Sequence, residues 1–238
     1  MFRKNIPSLL RHLLKDMPKN QPVIAGNGSV IFDDNNKQLR YESIDMKTIF
    51  KIIDMLRKDY ANVYYQFFDQ DIVCAEKFES TIQHYYEMNL TLPREYRLEL
   101  HIISDAKKYL EKNNSIVTKI EICNDDLNLI QEIKDRLEKI PNIEVVGSGL
   151  NGIEITKKGL NKGNSLEILA KHYGYSIDEC IAVGNDENDI EMIKKVGLGI
   201  AVKNAKDYVK EVADYITRND NNNDAIAEVV KKFIKPAI

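Results

Sequence analysis

The sequence is poor in the residues that ready-made catalytic motifs require. Its 238 residues contain three cysteines, Cys74, Cys123 and Cys180, an odd number set far apart in apolar surroundings. They read as buried reduced thiols, with no disulfide framework and no CxxC motif expected. The four histidines, His12, His84, His101 and His172, show no HxxxH spacing and no nearby cysteine, so neither a zinc site nor a histidine-based triad is expected. No Ser/His/Asp set and no P-loop occurs. Apolar runs never approach the length of a membrane span, and the basic, amphipathic N-terminus MFRKNIPSLLRHLLKDMPKN is unlike a signal peptide. The expected location is the cytoplasm, with no membrane partner. Lysine and arginine are interleaved with acids and the formal net charge is −3, so no nucleic-acid footprint is expected either. What remains is an ordinary soluble composition, 43% apolar and 30% charged, with length enough for one large domain or two modest ones.

Periodicity divides the chain into three stretches. Residues 5–15 carry Ile6, Leu9, Leu10, Leu13 and Leu14 at helical spacing. A short strand over 22–25 then ends at Gly26-Asn27-Gly28, and a small hairpin follows over 30–41 around Asp33-Asp34-Asn35-Asn36. From residue 44 the pattern reads as helix 46–60, hairpin strands 63–68 and 72–75, and helix 78–88. After a less regular stretch come strand 117–123, helix 127–140 and strand 143–146, which together suggest an α+β module. The last third alternates strictly: helix 165–173, strand 180–183, helix 189–195, strand 198–202, helix 205–212, strand 215–217 and helix 224–233. Such alternation predicts a parallel, doubly wound sheet. The expected architecture is an α/β core domain over residues 1–41 and 149–238, with residues 42–148 inserted as a cap.

The most informative stretch is Ile181 to Met192. Asn185-Asp186-Glu187-Asn188-Asp189 packs three acids and two amides into five positions, after an apolar strand and before a helix. In an open α/β sheet ligands bind at the carboxyl ends of parallel strands. Carboxylates gathered there repel unless a cation lies between them, and all-oxygen ligands favour a hard ion such as Mg2+. The plainer explanation is an acidic loop in which Asn185 or Asp186 caps the helix. Lys162 sits just ahead of the helix expected at 165, where it can hold a phosphate beside orphan amides, or else be a solvated lysine in a loop with Lys157 and Lys158. Asn27 and Gly28 can present an amide to a ligand or simply form a tight turn. Gly147 to Gly152 matches GxGxxG, but alternation after it predicts a glycine turn between two strands. Asp69-Gln70-Asp71 is formally DxD and reads as a hairpin turn.

Three blocks together resemble the haloacid dehalogenase-like (HAD) superfamily, specifically its Cof-like phosphatases with a large α/β cap: VIAGNGSVIFD at 23–33, GIEITKKGLNKGNSLEIL at 152–169 and AVGNDENDIEMIKKVGLGIAVKNA at 182–205. The resemblance implies a HAD-type Rossmannoid core and a Mg2+-dependent phosphatase working through an aspartyl-phosphate. It implies that Lys162 neutralises the transferring phosphoryl group. It also implies that Asn188 contacts phosphate, that Asn185 stands where the family has a metal-binding aspartate, and that Asp189 is the supporting acid.

Two departures qualify this expectation. Asn185 is neutral where the family has GD, unless Asp186 shifts into the metal site. The family's opening DxDGT and its Thr/Ser-Gly-Arg motif are absent, as though the chain starts just after them; a strand–helix–strand of on the order of 30 to 45 residues would carry both catalytic aspartates. The expected partner is a small phosphorylated metabolite, such as a sugar phosphate or a flavin or nucleotide phosphate, bound by a monomer or homodimer. The competing expectation is an inactive relative that binds phosphate and metal without turnover.

Overall fold

The computed structural model describes residues 21–149 and 151–234; the helix expected over residues 5–15 lies outside them. The chain divides into two compact units at Leu160 and Asn161.

In the first unit β1 (Val23–Ala25), β2 (Val30–Phe32) and β3 (Gln38–Tyr41) form an antiparallel three-stranded sheet. Asp33 closes the β2–β3 hairpin, its Oδ1 accepting from the amides of Asn35 at 2.9 Å and Lys37 at 2.8 Å. Next come α1 (Met46–Asp59), β4 (Tyr64–Asp69), β5 (Ile72–Ala75), α2 (Ser80–Thr91), β6 (Glu99–Ile102) and α3 (Ala106–Asn113). β7 (Val117–Cys123), α4 (Leu127–Leu137), β8 (Ile143–Ser148) and β9 (Gly152–Lys157) complete the unit. Six of these strands make one sheet in the order β6-β5-β4-β7-β9-β8, antiparallel except for the β5–β6 pair.

Helix α1 shows how sequence builds this unit. Asp45 caps it by accepting from the Thr48 amide. Ile49, Ile52, Ile53 and Leu56 recur at helical spacing and are almost wholly buried, against Phe67, Ile120, Ile122, Ile153 and Ile155 of the sheet. Each such side chain contributes about 1.5 to 3 kcal/mol of transfer free energy before the entropy of ordering is subtracted. The other side of the same strands is polar at Gln66, Lys119, Glu121 and Glu154, because successive side chains alternate. Strand β6 and helix α3 fall in the stretch that periodicity left irregular. β6 is a sheet-edge strand with no buried residue, and α3 buries Ala106 and Leu110 alone among its eight residues.

The sequence reading grouped residues 149–160 with the C-terminal core; the strands divide otherwise. Ile153 and Ile155 of β9 pair with Ile122 and Ile120 of β7, which ties this stretch to the six-stranded sheet. Gly147 and Gly152 of GxGxxG lie in the antiparallel pair β8 and β9, with Gly149 between them at φ +66°, and the element that follows is strand β9. Asp69 Oδ1 accepts from the Ile116 amide at 2.8 Å and Gln70 has φ +53°, so the formal DxD is a hairpin turn.

The second unit alternates helix and strand: α5 (Lys162–His172), β10 (Ile181–Gly184), α6 (Ile190–Lys195), β11 (Leu198–Ala201), α7 (Asp207–Lys210), β12 (Tyr215–Ile216) and α8 (Ala225–Phe233). β10, β11 and β12 are parallel throughout, in that order. Ile193, Ala201, Val202, Ala205, Val209 and Ala225 form its core. The expected helix over 205–212 contracts to the four residues of α7. Among the described residues β1 and β10 belong to separate sheets.

Candidate functional site

The carboxyl end of β10 organises the second unit's polar residues. After Gly184 the chain makes one tight helical turn, Glu187–Asp189, before α6. Asp186 caps that turn, its Oδ1 accepting from the Glu187 amide at 2.7 Å. Asp189 reaches back, and its Oδ2 accepts from the amides of Asn185 at 2.8 Å and Asp186 at 3.2 Å. The loop is thus folded around one buried carboxylate.

Lys162 is the first residue of α5 rather than a residue ahead of it. Asn161 is the cap, its side chain accepting from the Asn164 amide at 2.7 Å. Lys162 Nζ donates to Asp189 Oδ1 at 2.5 Å and to Asn188 Oδ1 at 3.1 Å. An ammonium carries three N–H donors; two are used among the described residues, on a side chain 29% exposed. The first-turn amides of α5, which have no intrahelical acceptor, lie at the same helix end.

Two glycines permit this closeness. A Cβ on Gly184 would lie 2.7 Å from Asp189 Cγ, and one on Gly163 would lie 2.6 Å from the carbonyl oxygen of Glu191. The first lets Asp189 fold over the strand end; the second lets the start of α5 rest on the backbone of α6.

Sequence reasoning missed Lys206 and Tyr208. Lys206 Nζ pairs with Asp186 Oδ1 at 2.9 Å, and the Tyr208 hydroxyl donates to the same oxygen at 3.3 Å. Burial acts to lower the Lys206 pKa, but its contacts with Asp186 and Tyr208 outweigh this and hold it above the ordinary lysine value. The Lys206 amide also donates to the Asn185 carbonyl at 3.1 Å. Lys206 follows β11, the strand beside β10, and that position was the available signal.

Lys162, Asn185, Asp186, Asn188 and Asp189 therefore share one unit and one loop system. Asn27 and Gly28 lie in the other unit. Asn27 occupies a left-handed turn at φ +52°, is 9% exposed, and its Nδ2 donates to Glu154 Oε2 at 2.7 Å. Glu154 in turn pairs with Lys119. Burial would lower that ammonium, yet Glu154 and Glu121 raise it to about 12.

The loop's fitness for Mg2+ can be judged from its oxygens. Asp186 Oδ1 and both oxygens of Asp189 already accept from amides or ammoniums, and Asn185 is exposed and neutral. Among the described residues no three His, Cys, Asp or Glu side chains converge on a point where a metal could bind. These residues do not fit a magnesium centre by themselves.

Comparison with known proteins decides the family: the model for haloacid dehalogenase-like hydrolases matches residues 6–230. The chain belongs to that family. Its curated relatives include the 5-amino-6-(5-phospho-D-ribitylamino)uracil phosphatase YcsE of Bacillus subtilis, 36% identical over 114 residues, which cover 48% of this chain and 45% of that protein. A phosphoglycolate phosphatase of Methanobrevibacter smithii is 27% identical over 212 residues, 89% of this chain and 73% of that one. Among solved structures, a haloacid dehalogenase-like hydrolase from B. subtilis superposes with a TM-score of 0.81 at 21% identity, covering 94% of this chain and 84% of the other. That likeness shows the fold, α/β as the sequence alternation predicted. Haloacid dehalogenase-like relatives are thus named as phosphatases of different small phosphate compounds. The DxDGT motif that the resemblance calls for does not occur in these 238 residues.

Proposed function

We propose that the protein acts as a phosphohydrolase on a small phosphorylated metabolite, and that the loop after β10 holds its phosphoryl group. The observation that carries this reading is Lys162, partly exposed and pinned by Asp189 and Asn188 at the N-terminus of α5. Phosphoryl transfer depends mainly on positioning and charge neutralisation. In this reading Lys162 supplies positive charge to the phosphoryl oxygens, Asn188 a hydrogen bond, and Asp189 orients the lysine. Asn185, Asp186 and Asp189 are the residues that the resemblance connects with Mg2+, and they do not fit that ion unaided. Two relatives named for compounds as different as a ribitylaminouracil phosphate and phosphoglycolate support a small phosphomonoester as the substrate class. The test is phosphate release from a panel of sugar, flavin, nucleotide and carboxylic acid phosphates. Release by the wild type and its loss in Lys162→Ala is expected, and equal rates in both would reject the assignment of Lys162.

A second reading is favoured by one observation, the neutral Asn185 at the family's metal position. Here the protein binds a phosphorylated ligand without hydrolysing it. It predicts that phosphate raises the melting temperature while no member of the panel is turned over; Lys162-dependent turnover rejects it.

A further inference from the structure

We propose that Lys206 takes the electrostatic place of a divalent cation in the loop after β10, making this an anion site that works without metal. The inference rests on the phosphate-binding reading above and specifies how that site balances its charge.

Asp186 Oδ1 accepts from the Glu187 amide at 2.7 Å, from Lys206 Nζ at 2.9 Å and from the Tyr208 hydroxyl at 3.3 Å. Asp189 Oδ1 accepts from Lys162 Nζ at 2.5 Å, and its Oδ2 from two loop amides. Two carboxylates thus meet two ammoniums. Both carboxylates are buried, Asp186 at 7% and Asp189 at 5% exposure, where an unpaired charge is costly and a paired one is retained. Mg2+ demands near-octahedral oxygen ligands at about 2.0 to 2.1 Å and gives up its waters reluctantly. Each of these carboxylates already carries an ammonium on its Oδ1, so an entering Mg2+ would meet that positive charge at close range, and Asn185 offers no charge in compensation.

Lys206 is also placed as a fixed component. Its amide is held by the Asn185 carbonyl at 3.1 Å, so the same residue clamps the loop at both backbone and side chain. α7 begins at the next residue and carries Tyr208 to the same carboxylate. With Lys162 on one acid and Lys206 on the other, the two acids are neutralised and no longer repel a phosphoryl dianion approaching the loop. A purely mechanical latch between the loops after β10 and β11 would show the same contacts, but it would not govern the response to metal.

The experiment uses the whole chain and two probes. Mn2+ uptake is followed by the electron paramagnetic resonance signal of the free ion, and inorganic phosphate is titrated calorimetrically in EDTA and in Mg2+. The wild type should leave the Mn2+ signal unchanged and bind phosphate equally in both buffers. The double variant Asn185→Asp, Lys206→Met should gain Mn2+ affinity by about tenfold or more, the scale on which ligand-shell changes act. Should its circular dichroism show unfolding, Lys206→Gln replaces it, with the same direction of change expected. Mn2+ uptake by the wild type that Asn185→Ala abolishes would overturn the inference, as would phosphate binding that requires Mg2+. Absence of phosphate binding in both buffers would instead reject the phosphate-binding reading itself.

Discussion

Replacing Gly184 by alanine puts a methyl group into space that Asp189 occupies. The added Cβ would lie 2.7 Å from Asp189 Cγ and 2.8 Å from Oδ2, against about 3.5 to 4.0 Å for relaxed carbon contacts. The obstruction is a buried side chain tied to Lys162 and two amides, so it cannot swing aside without giving up those bonds. Overpacking costs about 1 to 3 kcal/mol, and losing hydrogen bonds to a charged group about 1.5 to 3 kcal/mol. Together roughly 3 to 5 kcal/mol is expected, a drop of roughly 6 to 20 °C in melting temperature for a chain of this size. Gly149→Ala is the control: nothing lies within 4 Å of its Cβ, but its φ is +66°, so only left-handed strain of about 1 to 2 kcal/mol applies. Thermal melts by circular dichroism compare the two, with phosphate titration on each. Gly184→Ala should melt lower and lose phosphate affinity, while Gly149→Ala keeps it. A Gly184→Ala protein that melts with the wild type and above Gly149→Ala would refute the close packing of Asp189 on the strand end.

Three further outcomes follow from other parts of the molecule. Burial pushes the thiols of Cys74 and Cys123 up to about 12, leaving about one in ten thousand ionised at pH 8; Cys180 is only partly buried, so a chromogenic disulfide should label it first and the other two only on unfolding. Glu228 accepts from the Tyr215 hydroxyl and the amides of Arg218 and Asn219, which lower its pKa below the ordinary 4.5. Its contribution is therefore complete above that value and lost as pH falls through the lowered one. Glu228→Gln should melt below the wild type at neutral pH, with the gap closing under acid; a gap independent of pH would count against the assignment. Asn161→Ala removes the cap of α5, costing about 1 kcal/mol, and should lower the melting temperature by about 2 to 4 °C with a measurable loss of phosphate affinity.

Sequence was most informative where one face of an element is apolar and the other polar. Strand β7 was bounded to the residue because Ile120 and Ile122 alternate with Lys119 and Glu121, and α1 was bounded to within one residue at its C-terminal end because Ile49, Ile52, Ile53 and Leu56 keep helical spacing. β6 and α3 were illegible because an edge strand and a short helix bury too little to leave a period. The place of β9 in the six-stranded sheet was illegible, since it is set by pairing with β7, some thirty residues away in sequence, and alternation alone says nothing about a partner. At the candidate site the acidic loop and Lys162 stood out by composition and position. Lys206 did not: an ordinary lysine becomes notable only when two parallel strands bring their loops together. Gly184 and Gly163 were equally silent, because close approach is a property of the neighbour.

The central claim is that Lys162, held by Asp189 and Asn188 at the start of α5, binds a phosphoryl group. Calorimetric titration of inorganic phosphate into the wild type and Lys162→Ala tests it directly. The account predicts saturable binding by the wild type and a loss of about tenfold or more in the variant, the equivalent of about 1.4 kcal/mol. Equal affinity in the two proteins, with both folded, would contradict it.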